Sequence, residues 1–249
     1  MLQLPRSLAP LALSMPALLL AGSAQAVIVL GNGDVINLGA LMGNGSDRTV
    51  IIDDKMFVFE SFSSSQFNAN NFSVIGFISA GTNQYGLRNV GFDLTGPFGD
   101  GTLGDNLVHE MNIQYEVSVL PDYYSRGVRL CDARLTFNGS AGGDGSFSRV
   151  DETIWDLDTN TYLGQMEVYD IANTPNITKL VDAIDFCDVY GTDGYRAFEV
   201  NKDLKFFAGS ENGFSTASFV RQEFSQIPSP GALALVGLGG LVARHRRNA

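Results

Sequence analysis

Residues 110–120 constrain the fold more than any other stretch. Met111, Ile113, Tyr115, Val117 and Val119 alternate with Glu110, Asn112, Gln114, Glu116 and Ser118. A period of two puts the apolar set on one face of a strand and the polar set on the other. One buried and one wet face is the signature of an antiparallel sheet. The same alternation recurs through residues 49–53, 55–62, 73–79, 87–95, 147–156, 162–170, 195–200, 204–207 and 214–224. Turn-forming Gly, Asn and Asp separate these segments, and amphipathic helix patterning is almost absent. Gly31-Asn32-Gly33 reads as a hairpin turn between residues 27–30 and 34–38. Residues 96–106 and 138–145 are glycine-rich and read as loops; residues 180–190 continue the strand pattern, although residues 178–186 also have the spacing of a short helix. The apolar phase changes at Cys131-Asp132, which implies a β-bulge. Roughly a dozen short strands at this spacing predict an all-β fold, an antiparallel two-sheet β-sandwich with jelly-roll-like topology.

The two ends do not follow this pattern. Residues 1–26 read as an N-terminal signal peptide: Arg6, an apolar run, then Ala24-Gln25-Ala26 as a small-x-small cleavage site before Val27. Residues 227–249 comprise a proline motif (Pro228, Ser229, Pro230), an uncharged apolar stretch, and a basic stub carrying Arg244, Arg246 and Arg247. As a short hydrophobic helix the apolar stretch reaches roughly 20 Å, against about 30 Å of membrane hydrocarbon. The arginines should remain cytoplasmic, leaving the rest of the chain outside. This tail resembles the PEP-CTERM sorting signal, with Ser229 where the usual motif carries Glu between its prolines. The resemblance implies transient inner-membrane insertion, an exosortase-like processing enzyme as partner, and a cell-surface or extracellular destination. It implies nothing about activity. One β-sandwich domain, residues 27–226, remains between the ends.

That domain holds all twenty-seven acidic residues but only twelve of the sixteen basic ones, Arg6 and the three tail arginines lying outside it. Such a surface repels nucleic acid, which is excluded as a partner. Cys131 and Cys187 in an exported chain are expected to form a disulfide.

Chemistry is sparse. Asp156, Asp158, Asn160 and Glu167 have the spacing of a calcium loop, although Thr161 stands where the sharp turn requires Gly. No other cofactor is implied. His109 is the one histidine between the two end segments, and neither a Gly-x-Ser-x-Gly elbow nor a His-Glu-x-x-His motif is present. Adjacent acids such as Asp53-Asp54 would point to opposite faces of a strand, so no carboxylate dyad is visible locally. A non-enzymatic role is therefore expected. Trp155, Tyr123 and Tyr124, with Tyr190 and Tyr195, offer flat rings for stacking on sugars, and exopolysaccharide is a candidate partner. Three functions are in contention. The first is a structural or interaction module of the cell surface or matrix, the second a carbohydrate-binding module, and the third a glycoside hydrolase with a hidden carboxylate pair.

Overall fold

The computed structural model describes residues 27–43, 48–83, 86–100, 105–173, 175–210 and 212–228. The expectations for residues 1–26, and for the tail from Ser229 onward, lie outside the described residues. Among the described residues, fourteen strands and three short α-helices follow in chain order, with one 3-10 turn at Ala69–Asn71. They are β1 (Ile28–Val29), β2 (Val35–Asn37), α1 (Leu38–Met42), β3 (Thr49–Ile52), β4 (Lys55–Ser64), β5 (Ser73–Thr82), β6 (Arg88–Asp100), β7 (His109–Val119), α2 (Pro121–Ser125) and β8 (Val128–Gly142). The remainder are β9 (Phe147–Asp156), β10 (Thr161–Ile171), β11 (Ile177–Lys179), β12 (Val181–Asp185), α3 (Phe186–Tyr190), β13 (Ala197–Phe207) and β14 (Phe214–Pro228). An eight-stranded sheet has the order β1-β3-β4-β7-β13-β9-β10-β11, and a six-stranded sheet the order β12-β8-β14-β6-β5-β2. The protein is an all-β sandwich, as the alternation predicts. Every named pairing is antiparallel except β1 with β3. Among the described residues no helix is long and apolar enough to cross a membrane.

The core lies where the inner faces meet. Met111, Ile113, Tyr115, Val117 and Val119 of β7 are all buried, and Phe198, Val200, Leu204 and Phe206 of β13 line up beside them. Phe57 of β4 meets Phe92 of β6 edge to face at 5.5 Å and Phe224 of β14 at 6.2 Å, so aromatic contacts cross between the sheets. A one-residue slip of any of these strands would turn its apolar set to water, which fixes the register.

Several local expectations are corrected. Gly31-Asn32-Gly33 makes a turn, with Gly33 at φ 85°, but not a hairpin. β1 pairs with β3 in one sheet and β2 with β5 in the other. The Gly33 and Gly76 amides donate to Gly76 and Asp34 carbonyls, which commits the chain after the turn to β5. β6 runs on through Pro97 to Asp100. Gly96 and Pro97 together face Ser218 at a bulge, where the missing proline N–H costs no ladder bond. β8 likewise continues through the glycine-rich segment to Gly142 because β14 pairs along it. Residues 197–200 and 204–207 belong to one strand, β13, with Lys202 as an inward residue between them. Of residues 180–190, read as strand, Val181–Asp185 are strand and Phe186–Tyr190 are helix, capped by the Asp185 side chain accepting from Asp188 N. β14 extends to Pro228, paired with Val128, two residues into the segment assigned to the tail. The expected bulge at Cys131 is present, since Ser225 pairs with Asp132 and Gln226 with Leu130, leaving Cys131 over. Its sulfur is bonded to Cys187 of α3.

Candidate functional site

The outer face of the eight-stranded sheet carries polar side chains in cross-strand rows. Half-buried Glu116 of β7 lies directly opposite Glu199 of β13, and Glu199 opposite Trp155 of β9, which in turn faces Tyr162 of β10. The Trp155 and Tyr162 rings meet edge to face at 5.3 Å, and Tyr162 is half exposed. The next row is Gln165, Thr153, Asn201, Gln114 and Ser61, from β10 across to β4. Amides tie the rows together: Gln114 Nε2 donates to Glu199 Oε1 at 2.8 Å and Asn201 Nδ2 to the same oxygen at 3.1 Å. Farther along the strands the surface becomes ionic. Arg149 binds Asp151 and Glu167, while Lys205 reaches Asp203, Glu110 and Asp151.

Strand geometry explains these rows. Residues directly opposite in an antiparallel pair hold their Cβ atoms about 4.5–5.5 Å apart, so like charges there repel. The Glu116 carboxyl is pushed above the ordinary glutamate range, first by loss of solvent and then by Glu60 and Glu199, with Arg196 opposing. Glu199 accepts from two amide donors. Depressions of about 380 and 330 Å³ indent the same face, one at Glu110 and Asn112, the other at Arg149, Asp151 and Lys205. A third of about 600 Å³ lies beside Arg48, Val58 and Glu60.

The calcium-loop residues are not brought together. Asp156 to Thr161 form the tight turn between β9 and β10, with Asn160 at φ 52°. Asp156 accepts from Asp158 N at 3.1 Å and Thr159 Oγ1 at 2.5 Å. Asp158 is clasped by Arg196, with Nε at 2.9 and 3.0 Å from its two oxygens, and the guanidinium holds its carboxyl below the usual aspartate range. Glu167 stands well up β10, opposite Asp151 and bonded to Arg149. The spacing matched a loop, but a hairpin carries its twelfth residue away along the strand. A different trio, Asp100, Asp105 and His109, brings one potential ligand atom each within 4.8 Å of the others. The Asp100 carboxylate there already accepts from Ala208 N at 2.8 Å.

Of the aromatic candidates, Trp155 is presented on the outer face. Tyr124 of α2 has the Arg129 guanidinium 3.6 Å from its ring centre, and Tyr123 has Arg126 at 5.6 Å. Both tyrosines are half-buried and pack against the core. Tyr190 donates to Leu163 O at 2.5 Å, and Tyr195 packs on Phe186 and Phe198. Sequence reading marked Glu116 and Gln114 only as members of a wet strand face. Their pairing with Glu199 and Asn201 joins residues more than eighty positions apart, which no local pattern encodes.

Neither a family profile nor a characterised protein sequence matches the chain. Among solved structures it is similar to a thermostable cellulase derived from Cel12A of Rhodothermus marinus, at 11% identity and TM-score 0.23, covering 70% of this chain and 99% of that one. It is also similar to the mannan-recognising carbohydrate-binding module TmCBM27, at 9% identity and TM-score 0.24, covering 67% and 97%. A third is the family 11 xylanase of Neocallimastix patriciarum, at 10% identity and TM-score 0.19, covering 70% and 100%. At these values the functional reading is left to the residues themselves.

Proposed function

We propose that the protein is an exported, non-catalytic surface module that holds a neutral polysaccharide on the outer face of its eight-stranded sheet. The supporting observation is the pair of rows just described. Trp155 and Tyr162 supply apolar ring area beside Glu199, Glu116, Asn201 and Gln114. A pyranose has the complementary make-up, an apolar C–H face with hydroxyls around its rim that bond to carboxylates and amides. Anionic polymers are disfavoured by the acidic surface. Export is supported by the character of residues 1–26 and 227–249, and the Cys131–Cys187 bond suits an oxidising compartment.

Full-length protein incubated with a panel of neutral polysaccharides should bind one class saturably. Trp155→Ala should weaken that binding at least tenfold, about 1.4 kcal/mol, with an unchanged melting curve. Binding indifferent to Trp155, or none across the panel, would sink the proposal. Release of reducing ends in the same incubation would move the reading to a hydrolase with Glu116 as proton donor. For the export half, protein recovered from its native envelope should begin at Val27 and lack the residues beyond Pro230. An intact mass that runs from Met1 to Ala249 contradicts it.

A further inference from the structure

Two lysines lie wholly inside the sandwich, and each touches one carboxylate and one glutamine. Lys202 of β13 donates from Nζ to Glu152 Oε2 of β9 and, at 2.9 Å, to Gln222 Oε1 of β14. Lys55, the first residue of β4, donates to Asp54 Oδ1 at 2.9 Å and to Gln226 Oε1, again of β14. All six residues are at most 3% exposed. In both clusters the lysine belongs to the eight-stranded sheet and the glutamine to the six-stranded one, two strand repeats apart on the same inward face of β14.

Such clusters are costly as ion pairs. Two charges removed from water regain their solvation only when every remaining donor and acceptor is matched. Around Lys202 they are not: Glu152 Oε1, Gln222 Nε2 and the Tyr115 hydroxyl are buried without a hydrogen bond of good geometry, although Gln222 lies near enough to act on the Glu152 carboxyl. Around Lys55 the match is complete in a suggestive order. Asp54 accepts from the amine through Oδ1 and from Gln226 Nε2 through Oδ2 at 2.7 Å, so one carboxylate bridges nucleophile and leaving group.

We propose that both clusters are sites of self-catalysed isopeptide formation, joining Lys202 Nζ to Gln222 Cδ and Lys55 Nζ to Gln226 Cδ across the core. The carboxylate first takes a proton from the ammonium. The freed amine attacks Cδ, the new N–C bond forms, the Cδ–Nε2 bond breaks, and Nε2 departs as ammonia. The proton it needs comes from Nζ, relayed by the carboxyl, which ends protonated. Nothing is oxidised or reduced. Burial favours the reacting forms, pushing both lysines below the ordinary amine range and Glu152 above the ordinary carboxyl range. At the Lys202 site, the product also removes the unpaired Gln222 nitrogen and replaces a buried charge pair by a neutral amide.

Mass spectrometry of the reduced, denatured full chain should show the loss of one ammonia per bond, two in all. Proteolysis should yield branched peptides linking Lys202 to Gln222 and Lys55 to Gln226. Lys202→Met and Lys55→Met should each restore one ammonia. Glu152→Gln should block the Lys202 bond while leaving the other. Should a variant fail to fold, the wild-type digest decides alone: unlinked Lys202 and Gln222 peptides from folded protein overturn the first bond, and unlinked Lys55 and Gln226 peptides the second.

Discussion

Phe57→Ala is expected to lower the free energy of unfolding by about 3–5 kcal/mol, a fall in Tm of about 6–20 °C for a domain of this size. Phe57 is fully buried and stands where the sheets meet, in ring contact with Phe92 and Phe224 of one sheet and Tyr115 of its own. Truncation removes the transfer energy of the ring and leaves a cavity. Its walls are stiff β-strands that cannot close it, so the loss should fall toward the upper part of the range. Phe57→Leu keeps much of the volume and should cost roughly half as much. Urea unfolding of the three proteins tests this, because any cross-link in the chain is common to all of them. A loss under about 1 kcal/mol for the alanine variant would mean the inter-sheet aromatic cluster is not where the stability resides.

What could be read from sequence and what could not divide along one physical line. Period-two alternation is local, and it located β7, β9 and the inner faces correctly. The phase change at Cys131 is also local, and the bulge is there. Pairing is not local. Pro97 and residues 138–142 look like loop because glycine and proline weaken a strand in isolation. They are strand here because Phe214 to Ala217 of β14 pair with Gly139 to Gly142 on one side, and Ser215 to Ala217 with Phe98 to Asp100 on the other. The Gly31 turn reverses the chain, yet turn chemistry does not choose partners, and its flanks go to opposite sheets. The same limit hid the chemistry. Glu116 beside Glu199, and Lys202 between Glu152 and Gln222, become neighbours only when distant strands align. The calcium spacing failed the other way: a local match was undone by a hairpin that separates its members.

Replacing both cysteines with serine is expected to cost about 4 kcal/mol in the chain-entropy account. The bond spans 56 positions, from the bulge in β8 to α3, and encloses β9 to β12. Without it the unfolded chain regains the freedom of a long loop, while the folded state loses the tether holding α3 over the bulge. Phe186 would still anchor that helix, since it is fully buried against Phe198 at 5.0 Å. The native fold should therefore persist, and the loss should appear in the unfolding midpoint rather than in the circular dichroism of the native state. The bond between Lys202 and Gln222 lies outside the 131–187 loop and leaves this contribution untouched. The bond between Lys55 and Gln226 encloses it, so the unfolded chain is already confined and the disulfide contributes somewhat less. Urea unfolding with and without reductant, in wild type and in Lys55→Met, separates the two cases. A larger reductant effect in Lys55→Met is the expected result. A wild-type midpoint that reductant does not move, with both thiols shown to be free, would mean the native contacts of α3 and the Cys131 bulge, not the tether, set the stability of this edge.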